Sequence, residues 1–298
     1  MKSLFKRKEI KLNQKSASEK IVFAIAAIFL NVWAISLLYP LFFGINGALK
    51  ENGNAFMQNP VSLVFFNNPT WKNFADAFKV IEYNEVPFIR MAINSLIFAT
   101  LPNLAVLFFT SAVGYIVCKY NKYRILRHVY TFILVIQFIP LYGTMPAVYK
   151  LYSQLNLLNS YAIMVSSLGI NMGYFLYTYA FFKGVPWDYA ESAFIDGAGH
   201  WRTFLQVMFP QVIPSLSVIF VMMFVGTWND FQTCMLYYSE KIPTLSFGIY
   251  AFEARAVYMA NQPIHMAACF VASIPSIILF LFFQQQMMTK LTISGLKG

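Results

Sequence analysis

Charged residues are scarce in this chain. They make up only 11% of the 298 residues, against about 25% in an ordinary soluble globular protein. Hydrophobic residues account for 58% of the chain and aromatic residues for 18%. A soluble core of this size could not cover so much apolar surface, so lipid must cover part of it. The composition therefore excludes an ordinary soluble domain and predicts an integral membrane protein.

Motifs for metal binding, nucleotide binding and catalysis are also missing. The three cysteines and the three histidines are too widely scattered to indicate a disulfide framework or a metal site. No G-x-x-x-x-G-K-[ST] sequence occurs, which excludes a Walker A loop. No nucleophile with a neighbouring base is evident. We therefore predict that the chain is not an enzyme and holds no cofactor, and that any ATP and Mg²⁺ bind to another polypeptide.

Six apolar stretches are long enough to cross the hydrocarbon layer as helices, which takes about 20 residues each. Together they contain one formally charged side chain, Asp230. None shows the period-2 alternation of an outer-membrane barrel. The predicted fold class is therefore an all-α integral membrane protein with six transmembrane helices, at 21–43, 91–117, 129–149, 161–182, 211–238 and 264–289.

The basic residues gather at the ends of these apolar stretches rather than on a hydrophilic face. Of the 22 Lys and Arg residues, 15 lie in four segments that alternate with the spans. Loops between spans that are enriched in Lys and Arg are cytoplasmic in most membrane proteins. We therefore expect no nucleic-acid partner despite the net charge of +10. Both termini are predicted to be cytoplasmic, with a basic tail at 1–20, a six-span domain at 21–298, an extracytoplasmic loop at 44–90 and a cytoplasmic loop at 183–210.

Five prolines lie within the second, third, fifth and sixth predicted spans. Proline removes a backbone donor and kinks a helix, which lipid tolerates only if neighbouring groups satisfy the freed carbonyl. Each proline alone has a simple interpretation as a packing irregularity. Five together favour a bundle that bends over a static anchor; they are Pro102, Pro140, Pro146, Pro214 and Pro275.

The loop between the predicted fourth and fifth spans has the pattern of a helix–turn–helix finger, which we define as residues 186–210. Pro186 suits the first turn of a helix, and Asp188 and Glu191 place negative charge near its positive end. Gly197 can adopt the left-handed conformation that ends a helix. An apolar face is expected to dock either on this chain's own spans or on a separate subunit, and its residues are Trp187, Ala190, Ala193 and Phe194.

The finger resembles the "EAA" loop of bacterial ABC importer permeases, which reads Glu-Ala-Ala, three residues, Gly, nine residues and then Ile-x-Leu-Pro. Glu191-Ser192-Ala193, Gly197 and Val207-Met208-Phe209-Pro210 fit that spacing without a gap. Ser192 stands where the family pattern has its first Ala, and Val207 and Phe209 stand where it has Ile and Leu. These differences leave the turn and its glycine intact. The resemblance implies that the finger couples to an ATPase, through Glu191, Ser192, Ala193, Asp196, Gly197 and Pro210.

The rest of the chain is similar to the six-span carbohydrate-uptake permeases of the maltose and multiple-sugar type. The similar segments include Asn94-Ser95-Leu96, Ile139-Pro140-Leu141-Tyr142 and Trp228-Asn229-Asp230-Phe231. This resemblance implies a bacterial inner-membrane importer of oligosaccharides or related sugars that works by alternating access. It also implies four kinds of partner besides the lipid bilayer: a second permease subunit, a nucleotide-binding ATPase dimer, an extracytoplasmic sugar-binding protein and the sugar itself.

Polar side chains within the predicted spans are candidates for the substrate pathway, because in lipid they must face a partner or a cavity. Each also has a structural interpretation, as an interhelical hydrogen bond or a helix break. For Asp230 the structural alternatives are an interfacial position and a cap on broken backbone. The candidates are Gln137, Tyr142, Asn171, Tyr174, Trp228, Asn229 and Asp230.

Two other functions are compatible with six apolar spans. A stand-alone secondary transporter would use protons or sodium, with Asp230 as the relay, and would show internal repeats that this sequence lacks. An importer of the same kind could carry an amino acid, a phosphonate or an osmolyte instead of a sugar. The sequence does not decide which sugar is carried, or whether the partner permease is a different chain or a second copy.

Overall fold

The computed structural model describes residues 17–51, 53–58, 69–139, 143–169, 171–256 and 261–294. Within these ranges the protein is almost entirely helical, with one two-stranded hairpin (β1, Glu82–Tyr83; β2, Val86–Pro87), a 3₁₀ helix (Tyr161–Ser167) and a π-helical segment (Phe204–Met208). The α-helices are α1 Ala17–Ser36, α2 Tyr39–Ala48, α3 Gly53–Gln58, α4 Lys72–Val80, α5 Phe88–Lys119, α6 Arg124–Gln137, α7 Met145–Gln154, α8 Met172–Gly184, α9 Asp188–Ile195, α10 His200–Thr203, α11 Phe209–Trp228, α12 Phe231–Tyr237, α13 Leu245–Ala256 and α14 Gln262–Ser294.

Four helical stretches of the described chain are long and apolar enough to cross a membrane. They are Glu19–Ala48, Phe88–Lys119, His200–Trp228 and Gln262–Gln285, and they match the predicted first, second, fifth and sixth spans. Pro102 in α5, Pro214 in α11 and Pro275 in α14 lie inside these helices without ending them.

The predicted third and fourth spans are not continuous helices. The third is divided between α6 and α7, and Gly143 between them has a φ of +76°, which a helix cannot contain. Its second piece begins at a proline-containing first turn, because Pro146 is one of the first residues of α7. The fourth is divided between the 3₁₀ helix and α8. The prediction of one unbroken helix in each place was therefore wrong, and the count of six spans stays a prediction.

The predicted fifth span also ends earlier than expected. The sequence predicted a helix to residue 238, but α11 ends at Trp228 and α12 begins at Phe231. Asp230 has extended backbone between the two helices, and its side chain accepts a hydrogen bond from the backbone N of Thr233 at 3.0 Å. This is the geometry of an N-cap, which starts a new helix rather than continuing the old one.

Helix α5 lies at the centre of the described bundle, packed against α8, α11 and α13, while α14 packs against α2, α4 and α11. The approach of α5 to α8 is close at Gly114. A Cβ at that position would lie 2.5 Å from Thr178 Oγ1 and 3.1 Å from the backbone N of Tyr179. Small residues allow such contact between helix backbones, which drives helix association where lipid replaces water.

Replacing Gly114 with Ala should loosen the contact between α5 and α8. Thr178 is fully buried and donates a hydrogen bond to the backbone carbonyl of Phe175 at 2.8 Å, so it has no free space to move into. We expect the free energy of unfolding to fall by about 1–3 kcal/mol, as at other overpacked sites. The change is measured as a lower Tm of the purified protein in detergent.

Gly226→Ala is the matched control, because Gly226 lies in α11 with nothing within 4 Å of its would-be Cβ. Alanine is also the better helix former, so Gly226→Ala should leave the Tm unchanged or slightly raised. An equal Tm for Gly114→Ala and Gly226→Ala would contradict the close approach.

Candidate functional site

The finger folds as two short helices joined by a tight turn. Helix α9 begins at Asp188, and its first turn carries Asp188 and Glu191, as predicted; Pro186 lies just before the helix rather than in its first turn. Gly197 ends α9 with a φ of +82°. Its backbone N donates to the carbonyl of Phe194 at 3.0 Å, and the N of Ala198 donates to the carbonyl of Ala193 at 2.9 Å. This pair of bonds is a Schellman motif, which requires a left-handed residue.

The apolar face of the finger docks on this chain's own helices. Ala190 and Ala193 are buried, and the half-buried rings of Trp187 and Phe194 pack against the same hydrophobic cluster as the end of α5. The ring of Trp187 lies 5.7 Å from that of Tyr120, in an edge-on arrangement. This observation decides between the two docking partners that the sequence left open for that face.

Polar contacts also attach the finger to the end of α5. The hydroxyl of Tyr120 and Nδ1 of His200 lie 2.7 Å apart. The ammonium group of Lys119 donates to the backbone carbonyl of Val185 at 2.5 Å. Both partners come from the last residues of α5 or directly after it, so the finger and α5 are joined by aromatic packing and by hydrogen bonds.

The opposite face of the finger is uncovered in this chain. Glu191, Ser192, Asp196 and Gly197 are exposed, and Ile195 is 86% exposed. Of the six residues predicted for ATPase coupling, Ala193 therefore faces the chain's own core, whereas the four exposed residues Glu191, Ser192, Asp196 and Gly197 do not. The sixth, Pro210, is exposed at the start of α11, beyond the π-helical segment that joins α10 to that helix.

The predicted pathway residues fall into separate places rather than one site. Asn171 caps α8 by accepting from the backbone N of Tyr174 at 3.2 Å. Gln137 donates from Nε2 to the backbone carbonyl of Met172 at 2.5 Å, next to this cap. Tyr174 is half-buried and packs against the hydrophobic cluster below the finger. Tyr142 lies outside the described residues.

Trp228 and Asn229 are close to α14 and α13. Trp228 is buried, and its Nε1 donates to the backbone carbonyl of Ala272 at 2.9 Å. Nδ2 of Asn229 donates to the backbone carbonyl of Val225 at 2.8 Å, one turn back in α11. Both residues line a cavity of about 190 Å³, shared with Ser246 and Ser273.

Asp230 lines a different cavity, of about 220 Å³, which we call the Asp230 cavity. It lies where three interrupted elements meet α5: the 3₁₀ helix, helix α7 and the break between α11 and α12. Phe98, Pro102 and Asn103 of α5 line it, and Asn103 stands at the middle of that 32-residue helix. Non-helical backbone at membrane depth is tolerated where it lines a cavity or is buried in protein.

Several residues of the Asp230 cavity were missed by the sequence analysis. Asn103 lies inside a predicted span, and a polar residue in mid-span is a signal that counting formal charges overlooks. The aromatic residues gave no separate signal, because rings are common throughout the chain. The missed residues that the following sections use are Phe98, Asn103, Tyr152, Thr227, Tyr237 and Tyr238.

Comparisons with known proteins agree with this architecture. Residues 112–292 match the family described as "Binding-protein-dependent transport system inner membrane component". The chain belongs to this family. The match covers the finger, α8 and α11 to α13, and it begins near the end of α5.

Curated relatives from this transport family match nearly the whole chain. The arabinooligosaccharides transport system permease protein of Bacillus subtilis is 26% identical over 277 residues, covering 91% of this chain and 94% of the relative. A maltodextrin transport system permease protein of the same organism is 28% identical over 278 residues, covering 91% and 95%.

A solved bacterial ABC transporter that imports the acidic polysaccharide alginate shares the fold. One of its chains aligns with a TM-score of 0.74 at 19% sequence identity, covering 91% of this chain and 98% of that chain. The family member described here is thus a helical membrane protein with the permease fold.

The cap at Asn171 gives a stability test of the break in the predicted fourth span. Asn171→Ala removes the acceptor for the first turn of α8 and should lower the free energy of unfolding by about 1 kcal/mol. Asn171→Asp keeps an acceptor and should cost less, which is checked by comparing the Tm values of the purified variants. Equal losses for the two variants would show that the cap does not stabilise α8.

Proposed function

We propose that this chain is one permease subunit of an ATP-driven, binding-protein-dependent importer of oligosaccharides or related sugars. The observation that carries the proposal is the finger, which is docked on the chain's own helices by one face and leaves Ile195 and its polar neighbours uncovered. A chain without a Walker A loop needs a second polypeptide to use ATP. The family match and the oligosaccharide permeases among its relatives support the sugar as cargo.

The mechanism is alternating access driven by closure of an ATPase dimer. ATP and Mg²⁺ bind to the ATPase, whose closure displaces the exposed face of the finger. Because the finger is attached to α5 through Tyr120, Trp187 and His200, the displacement passes into the bundle and opens it toward the outside. Hydrolysis returns the bundle to its inward-open packing. Such a cycle requires the ATPase to contact the finger differently in the two states.

The remaining partners and the orientation follow from the same proposal. A second permease subunit completes the pathway, and an extracytoplasmic sugar-binding protein delivers the cargo. The lipid bilayer is that of the bacterial inner membrane, with both termini, the basic tail 1–20 and the loop 183–210 in the cytoplasm, and the loop 44–90 outside. This chain itself contributes no catalytic residue.

Gly197→Val should uncouple the complex without preventing membrane insertion. A β-branched residue is strained at a φ of +82°, so the turn of the finger would change shape. We expect the substrate-stimulated ATPase activity of the assembled complex to be lost, as measured on the complex reconstituted in lipid with its binding protein and sugar.

Two variants control for the turn geometry. Gly197→Asn should keep most of the stimulation, because Asn tolerates the left-handed region. Gly199→Ala should keep all of the stimulated ATPase activity, because no atom of a neighbouring residue lies within 4 Å of a Cβ placed at that position. Full stimulation of Gly197→Val would argue against a coupling role for the finger.

Ile195→Ser tests whether the uncovered face binds the ATPase. Burying an isoleucine side chain contributes about 1.5–3 kcal/mol, so its loss should weaken binding of the ATPase to the permease pair roughly ten-fold or more. The matched control is Ile125→Ser in α6, which changes another strongly exposed isoleucine (71% exposed) that is not part of the finger. The affinity is measured in nanodiscs, and wild-type binding by Ile195→Ser would place the ATPase elsewhere.

A further inference from the structure

We infer that the Asp230 cavity binds one neutral pyranose ring of the transported sugar and selects against uronate and sulfonate sugars. The inference rests on the proposed function and extends it, because it gives this subunit a substrate-binding site and names the charge class of the cargo. Its basis is the size, lining and charge of the cavity.

The size of the cavity suits a single ring. Sites for larger ligands usually have volumes of about 300–1,000 Å³, whereas this one has about 220 Å³. An oligosaccharide would therefore place one unit here and its other units against the rest of the pathway. The cavity lies beside the middle of α5, a helix that is long enough to cross the membrane.

The lining offers aromatic surface for the apolar faces of a sugar ring. Phe98 and Tyr238 are buried and stack on each other at 4.3 Å, so they form the floor. Tyr152 and Tyr237 are half-buried, with their rings edge-on at 5.2 Å. The uncovered parts of these two rings offer a surface on which the C–H groups of a pyranose can pack.

Polar groups of the lining have unused hydrogen-bonding capacity. Nδ2 of Asn103 donates to the backbone carbonyl of Ala99 and to Oγ1 of Thr227, while Oδ1 of Asn103 has no hydrogen bond among the described residues. Asn103 is only 8% exposed. An amide oxygen without a donor can accept a hydrogen bond from a ligand in the cavity, and a sugar hydroxyl supplies one.

Asp230 carries more charge than its structural role needs. Its Oδ1 caps α12, yet Asn caps a helix as well as Asp does, and the break before α8 is capped by the neutral amide of Asn171. A carboxylate is costly to keep within a membrane protein, so capping alone does not account for it. A carboxylate oxygen accepting from sugar hydroxyls does.

The charge of the cavity sets its selectivity. No Lys, Arg or His is among the described residues that line it, and among them Asp230 is the one formally charged group. A uronate or sulfonate would place a second negative charge beside Asp230 without a cation to balance it. The cavity is therefore suited to neutral sugars, unlike the acidic alginate that the structural neighbour imports.

The test is direct binding to the purified complex of this chain with its partner permease and ATPase, in nanodiscs and without the external binding protein. The radiolabelled probes are maltotriose, which is neutral, and trigalacturonate, which is acidic. The variants are Asp230→Asn, which keeps the cap, and Tyr237→Leu, which removes an aromatic face. Glu240→Gln is the matched control, because it also neutralises a carboxylate but lies outside the cavity lining.

We expect the wild type to bind a neutral trisaccharide and not trigalacturonate. Asp230→Asn should weaken neutral binding about ten-fold, the scale of one hydrogen bond to a charged group, and raise acidic binding relative to neutral. Tyr237→Leu should weaken neutral binding, and Glu240→Gln should change neither. Unchanged affinities in Asp230→Asn, equal binding of both sugar classes by the wild type, or no binding of any probe would each overturn the inference.

A separate uptake measurement distinguishes this inference from the proposed function. Cells carrying the complete wild-type transporter should take up a neutral oligosaccharide in an ATP-dependent manner. If they do so and the binding results are negative, only the cavity assignment fails. If they take up no sugar, the proposed function fails and the inference fails with it.

Discussion

Backbone polar groups in a membrane must find partners within the protein, and the architecture of this chain depends on how that requirement is met at its broken helices. Helix α5 supplies several of these hydrogen-bond partners. Its polar side chains bond to backbone at three places where other segments are not helical or begin a helix: Oγ1 of Thr110 accepts from the N of Asn171, Oγ of Ser95 accepts from the N of Leu245, and Nδ2 of Asn94 donates to the carbonyl of Pro243. The interrupted segments are thus anchored on one long helix.

The same helix connects the two functional regions. Its final turns lie under the finger, where Tyr115 packs against Phe204 at 4.9 Å, and Asn103 at its middle lines the Asp230 cavity. Since α8 and α11 both pack on α5, a displacement of the finger would move the walls of the cavity through rigid, packed elements. Coupling over such a distance needs an element with two arrangements, and the breaks beside α5 provide places where the packing can change without melting a helix.

The sequence predicts local features of this architecture well and tertiary ones poorly. The turn at Gly197 was predictable because the left-handed conformation and the helix-ending bonds involve residues that are neighbours in the chain. The breaks before α8 and α12 were raised only as alternatives for Asn171 and Asp230, because hydropathy averages over a window and does not register that Thr110 from another helix satisfies the backbone at Asn171. Asn103 was overlooked for a similar reason, since its partner Thr227 is 124 positions away.

Asp230 is the residue on which the alternative of ion-driven transport depends. A proton relay through a membrane protein generally uses a series of titratable carboxylates or histidines. Among the described residues that line its cavity, Asp230 is the one carboxylate and no histidine occurs; amide, hydroxyl and aromatic groups surround it instead. Such a lining fits the proposed binding of an uncharged polar solute better than a proton relay. In the proposed mechanism the driving force enters at the finger, whose inner face packs on α5 and whose outer face is uncovered.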